Sequence, residues 1–289
     1  MRVTKRGMAL VQALVIVAAI AAVSAALLLR AGTAQQRLQT RFQADQVALY
    51  LDSGVGLVAS MLAAIPPAAP VHPGQDWARA REGVIVDRGT VAWQVEDLQG
   101  RFNINELAED APQPQAARDT FLRLAADHGL RRGAARRLAD ALIGEDPMVV
   151  IDPRQLASLV QDDAEDFAEF ATVLTALPAG TAMNINTLQP TVLEALLPDL
   201  PSTARNALQR RIRQDPFPSR DALLTWATQA LPPEFLPRFE AVTFTTTSAW
   251  FTVSLDAQLD TLRLRRSVVL TRDAEPEPYT IYLSMPEFE

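Results

Sequence analysis

The side chains equipped for chemistry are few, and their spacing is poor for it. The chain of 289 residues has two histidines, His72 and His128, a single lysine, Lys5, and no cysteine. Thiol nucleophiles, Cys-ligated metals and disulfides are thereby excluded, and Schiff-base chemistry has one candidate, in the N-terminal tail. His72 falls in the Pro/Ala-rich loop 66–73, and His128 stands between Asp127 and Gly129 at an expected helix C-terminus, where an imidazole serves as a cap. Asp52-Ser53-Gly54-Val55-Gly56 is not a nucleophile elbow, because Leu51 occupies the place of the first glycine. The one dense carboxylate cluster is the run from Gln161 to Glu169, in which Asp162, Asp163, Glu165 and Asp166 are candidate ligands for a hard cation such as Ca2+. A calcium loop alternates its carboxylates around a glycine, and this run has none. It reads instead as an acidic helix start with Asp162 or Asp163 as N-cap. No catalytic residue and no metal ligand set is assigned, and the expectation is a protein that is not an enzyme.

The elements that carry these residues begin with a membrane segment. From Met8 to Leu29 the chain is apolar apart from Gln12 and Ser24, with Arg2, Lys5 and Arg6 before it and Arg30 after it. A helix of that length crosses a bilayer core of about 30 Å, and the run is too long for an ordinary cleaved signal. Beyond Arg30 the pattern turns amphipathic: Leu38, Phe42, Val47, Leu51, Val55, Val58 and Leu62 recur at spacings of mostly three and four until Pro66-Pro67 stops the helix. Gly32, Gly54 and Gly56 are places where it would break if two helices were present.

Residues 83–98 read as two strands joined through Asp87-Arg88-Gly89, with Val91, Trp93 and Val95 on one face. Residues 242–255 and 261–270 alternate in the same way, and Tyr279–Leu283 adds a short strand. Between these β-rich ends, 103–240 reads almost wholly as short helices, an insertion into a small sheet packed on the long helix. The insertion carries the charge: it holds 13 Arg against 20 Asp and Glu, which accounts for the whole net charge of −7. It also carries a faint duplication. Asn103-Ile104-Asn105 recurs as Asn184-Ile185-Asn186, and Leu130, Ala134, Leu138 and Leu142 match Leu200, Ala204, Leu208 and Ile212 at one offset. The second copy resembles a helix-hairpin-helix. A phosphate-binding hairpin needs free backbone N–H groups, whereas the turn here contains Pro198, Asp199 and Pro201, so no nucleic-acid partner is expected. Arg210, Arg211 and Arg213 form a local basic cluster at the end of a helix.

Two sets of residues carry a resemblance to a known family. The junction Lys5-Arg6-Gly7-Met8, a basic leader ending in glycine directly before a long apolar helix, resembles the leader of type IV pilins and type II secretion pseudopilins. The segments 97–107, 174–198, 215–224 and 248–251 resemble the K subunit of the type II secretion system, a large minor pseudopilin, and the likeness covers nearly the whole chain. The resemblance implies peptidase cleavage between Gly7 and Met8, N-methylation of Met8, and Gln12 at the fifth mature position, where most pseudopilins have glutamate. It implies an α+β, pilin-like fold with a large all-α insert of helix-hairpin-helix (SAM-like) type. The divisions expected are a leader at 1–7, spine at 8–29 and 30–65, first strands at 66–102, insert at 103–240 and last strands at 241–289. The implied setting is the bacterial inner membrane, with a single span and a periplasmic globular part. The implied partners are the I and J minor pseudopilins, the major pseudopilin and the prepilin peptidase, with secretin and exoproteins as further contacts. Ca2+ stays open because some relatives are associated with it. The other reading is a membrane-tethered periplasmic binding module, either a cargo receptor or a DNA-uptake protein.

Overall fold

The computed structural model describes residues 4–143, 148, 150–272 and 280–287, so Met1, Arg2, Val3 and Tyr279 lie outside the described residues. One helix, α1 (Thr4–Ala63), runs unbroken through Gly32, Gly54 and Gly56, so the membrane segment and the amphipathic segment form one spine. It ends just before Pro66-Pro67, where the missing N–H groups and the ring sterics forbid continuation. Between Met8 and Leu29 its large apolar side chains are exposed all round, from Val15 at 59% to Leu28 at 74%, and this is the one described helix long and apolar enough to cross a membrane.

A five-stranded antiparallel sheet covers the upper part of the spine. Its strands are β1 (Arg81–Val86), β2 (Gly89–Asp97), β7 (Trp250–Leu259), β8 (Leu262–Thr271) and β9 (Thr280–Glu287), side by side in that order. Alternation places Val91, Trp93 and Val95 of β2 and Phe251, Val253, Leu255, Ala257 and Leu259 of β7 against Val47, Leu51, Val55, Val58 and Leu62 of the spine. Each such side chain contributes about 1.5–3 kcal/mol by leaving water. Tyr50 joins this core, with its hydroxyl accepting from Gln46 Nε2 at 3.0 Å. The stripe expected on the helix does not all pack: Leu38 and Phe42 are 54% and 65% exposed, because the sheet reaches down the spine only to about residue 43, where Gln43 Nε2 donates to Asp260 in the β7–β8 turn.

The insertion leaves and rejoins the sheet at one place. β2 ends at Asp97, paired with Phe251 at the start of β7, and the chain between them forms two helical units. The first opens with β3 (Phe102–Asn103), continues through α2 (Pro114–Asp127), α3 (Arg132–Ile143) and α4 (Ala164–Ala171), and closes with β4 (Leu174–Thr175). The second opens with β5 (Met183–Asn184), continues through α5 (Pro190–Leu196), α6 (Ser202–Gln214), α7 (Arg220–Ala230) and α8 (Leu236–Ala241), and closes with β6 (Phe244–Thr245). In each unit the two-residue strands pair in parallel. Each unit has its own apolar core, one around Phe121, Leu138 and Phe170 and one around Leu208, Phe217 and Phe239. The aligned apolar positions in and just before α3 and α6 are buried apart from the half-buried Ile212.

The run 242–255 is not one strand. Phe244 and Thr245 belong to the second unit, and the sheet resumes only at Trp250, because the hydroxyl-rich stretch Thr246–Ser248 is drawn into hydrogen bonds described below.

Candidate assembly site

Two places in the molecule have the chemistry of contact rather than of catalysis. The first is the foot of the spine. Gly7 lies within α1, Met8 is 64% exposed beside it, and Gln12 is exposed one turn further on, in a stretch from Met8 to Leu29 whose one other polar side chain is Ser24. A side-chain amide in such a surface is a hydrogen-bonding group held where water is scarce, and it makes no charge pair.

The second is the base of the insertion. Along β2 the period of two that buries Val91, Trp93 and Val95 puts Asp97 on the same inward side. Its carboxylate is satisfied by neutral donors. Oδ1 accepts from Gln99 N at 2.9 Å, and Oδ2 accepts from Asn184 Nδ2 at 2.9 Å, Thr187 Oγ1 at 2.6 Å and Ser248 Oγ at 2.5 Å. Burial pushes the Asp97 carboxyl above the usual carboxylate range, and the four donors pull it partly back. Asn184 reaches further: Nδ2 also approaches Val71 O at 3.0 Å and Ser248 Oγ at 2.8 Å, and Oδ1 accepts from Asn186 N at 3.0 Å. Gln99 clamps the same region, donating to Ala182 O at 2.8 Å and accepting from Ala249 N at 2.6 Å. Sequence reasoning found Asn184 as a repeat but missed Asp97, Thr187 and Ser248. The available signal was an acidic residue at the fourth position of the buried series 91, 93, 95, 97, where a carboxylate must find partners.

The first Asn-Ile-Asn turn has the same internal geometry. Asn103 Oδ1 accepts from Asn105 N at 3.2 Å and from Leu177 N at 3.0 Å, and Asn105 Nδ2 donates to Leu177 O at 2.8 Å. Glu106 accepts from Gly180 N at 2.6 Å and from Asn103 Nδ2 at 3.3 Å, and partial burial raises its carboxyl above the usual range.

The acidic run does not form a cation site. Asp163 is buried and faces Arg131, whose Nη2 donates to Oδ2 at 2.9 Å while Nε bonds Oδ1. That guanidinium holds the Asp163 carboxyl below the usual range. Asp163 occupies the N-cap position of α4, but its side chain makes no cap hydrogen bond because Arg131 takes it. Asp162, Glu165 and Asp166 are exposed, and among the described residues no three His, Asp or Glu side chains gather around one point. These residues do not fit a calcium ion. His128 stands at the C-cap of α2 with Nδ1 2.8 Å from Leu124 O, and His72 accepts from Gly74 N at 3.2 Å in its loop. Of the basic cluster, Arg211 lies 4.9 Å over the Phe217 ring and pairs with Asp215 at 2.8 Å. Asp199 in the second unit's turn pairs with Arg238 at 3.2 Å.

A single long helix, apolar in its lower half, running into an antiparallel sheet is the architecture of a pilin-like fold. The family model for type II secretion system (T2SS), protein K matches residues 183–246, which are the second helical unit. Type II secretion system protein K of Pseudomonas aeruginosa PAO1 is 27% identical over 264 residues, covering 79% of each chain. The crystal structure of the GspK-GspI-GspJ complex from the type 2 secretion system of enterotoxigenic Escherichia coli matches with a TM-score of 0.71, covering 88% of this chain and 100% of that chain at 20% identity, a likeness of fold. The chain is thus similar to protein K of type II secretion systems, in its second helical unit by the family model and along most of its length by the Pseudomonas relative.

Proposed function

We propose that this chain is a minor pseudopilin of a type II secretion system and occupies the tip of a periplasmic pseudopilus, starting or capping its assembly for the export of folded proteins across the outer membrane. The observation that carries the reading is the insertion: two helical units, each with its own core, stand on the end of the sheet, a bulk that would obstruct a further subunit stacking above it. Gln12 supports it. In the filament a glutamate at this position would meet the free amine of the subunit ahead, and a terminal subunit has none ahead. The partners of this reading are the I and J minor pseudopilins, of which the enterotoxigenic E. coli K subunit has counterparts in its complex, and below them the major pseudopilin. Prepilin peptidase would cut between Gly7 and Met8 and methylate Met8. The globular part stands in the periplasm, with the 8–29 part of α1 in the inner membrane and the insert turned toward secretin or exoprotein. The two units are assigned to the helix-hairpin-helix (SAM-like) type on their paired short helices.

Mass spectrometry of the mature N-terminus tests the processing: a methylated Met8 is expected, and a retained Met1 overturns it in favour of a membrane-tethered binding module. Gln12→Glu tests the tip. Secretion stays near the wild-type level if no subunit lies ahead, whereas its complete loss excludes the terminal place.

A further inference from the structure

We propose that Asp97 is a positioning residue, whose carboxylate fixes the second helical unit on the sheet so that the spine and the insertion move as one body. Four segments distant in sequence meet on it or on its partner Asn184. They are the end of β2, the loop after the spine through Val71, the Asn184–Thr187 turn of the second unit, and the return to β7 at Ser248. The backbone closes on the same point. Val71 N donates to Thr246 O at 2.8 Å and Gln189 N to Gly100 O at 2.9 Å. Gly100 sits so near the turn that a Cβ on it would lie 2.2 Å from Thr187 O.

The apolar cluster at this joint is small, formed by Leu98, Leu177 and Trp250 with Ala249 and Val269 against its edge. An apolar patch of that size resists separation but tolerates sliding, since dispersion and desolvation have little directionality. Hydrogen bonds to one buried carboxylate are directional, and a small rotation of the second unit would leave several donors in the interior without acceptors. The angle between insertion and sheet is therefore set by polar geometry, although burying the carboxylate is itself unfavourable. The inference stands whether or not the chain occupies a pseudopilus tip.

The chain's lack of cysteine makes a direct test available on the full-length protein in detergent. Nitroxides on Thr225→Cys in α7 and Thr261→Cys in the β7–β8 turn report the distance across the joint, and a pair on Glu82→Cys and Thr261→Cys reports the sheet alone. One narrow distance is expected across the joint in the otherwise unaltered chain. Asp97→Ala should broaden or split it while leaving the sheet pair unchanged. Thr187→Val should broaden it less, and Thr187→Ser, which keeps the hydroxyl, should not. If Asp97→Ala does not fold, the double variant Thr187→Val and Ser248→Ala carries the same criterion. A joint distance that stays narrow in these variants while thermal stability falls would overturn the proposal, because Asp97 would then add stability without setting position.

Discussion

The two contacts that hold this molecule together are built on opposite principles. The spine lies on the sheet through an apolar face, Val47, Leu51, Val55, Val58 and Leu62 against Phe251, Val253 and Leu255. The insertion stands on the same sheet through Asp97, Asn184, Thr187, Ser248 and the backbone around Gly100, with few apolar atoms between. The first contact suits a helix that packs along its length, where strength grows with area. The second suits a body held at one angle by a narrow base, where strength depends on a few groups being in register. The two Asn-Ile-Asn turns show how the second was made. Both close on themselves in the same way, but Asn103 goes on to Pro178 O at 3.1 Å in the loop just after its own unit, whereas Asn184 turns to Asp97 and the sheet.

The contrast breaks most readily at the glycines. Gly100→Ala would press a methyl against the Thr187 carbonyl, a backbone atom with nowhere to go, and should cost about 3 kcal/mol or more, at the top of the overpacking range. Chemical denaturation measures it. A loss under about 1 kcal/mol would mean that the joint yields like the apolar contact.

Next in size is the pair of repeated asparagines. Asn184→Ala removes the amide that serves Asp97, Val71 and Ser248, and should cost about 2–3 kcal/mol for the buried groups left unpaired. Asn103→Ala leaves Leu177 N and Pro178 O without their partner and should cost about 1–2 kcal/mol. Hydrogen exchange distinguishes the sites of damage: Asn184→Ala should expose amides of 182–189 and 246–249, and Asn103→Ala those of 174–180. Equal spread in both variants would erase the difference between the turns.

The apolar contact was legible in the sequence and the polar joint was not. Periodicity of 3.6 in the spine and of 2 in β2 and β7 follows from burial against one face, so Val55, Val91 and Val253 announce themselves. The limits of that signal show at Leu38 and Phe42, which share the helical spacing but find no sheet beside them. A polar joint has no period. Asp97, Thr187 and Ser248 lie 61 to 151 residues apart along the chain, and only the fold brings them together. The two-residue parallel strands β3 to β6 are likewise too short to leave a pattern. The acidic run is a helix start, as its composition indicates, but the expected Asp163 cap fails for the same reason, since the partner that takes its carboxylate, Arg131, sits a helix away.

Acidity separates the joint from the sheet's own ion pairs by sign. The carboxyl of Asp97 is raised by folding, so its ionisation opposes the fold: stability from this group grows as pH falls through the folded value and levels off below the unfolded one near 3.9. Asp256 on the sheet is held low by Arg263 and Arg265, so its contribution is present above the unfolded value and disappears as pH falls through the folded one. Urea unfolding of the unaltered chain and of Asp97→Asn between pH 4 and 7 should show the unaltered chain gaining on the variant toward the acid end. The opposite slope would place a lowered carboxyl at the joint.

The smallest effect belongs to the spine. A Cβ on Gly54 would lie 2.6 Å from Leu255 Cδ2, the movable tip of a side chain, and 3.6 Å from Val91 Cγ1. Alanine in a helix interior is worth about 1 kcal/mol over glycine. Turning Leu255 off its rotamer costs about 0.5–1.5 kcal/mol, so Gly54→Ala should change stability by less than about 1 kcal/mol in either direction. Gly56, two residues on, has nothing within 4 Å of its would-be Cβ, and Gly56→Ala should deliver the whole helical gain. The difference between these two variants isolates what Leu255 must give up. If Gly54→Ala proved as damaging as Gly100→Ala, the spine's packing would be as unforgiving as the joint, and the distinction between a contact that slides and one that locks would fail at the place where it is cheapest to test.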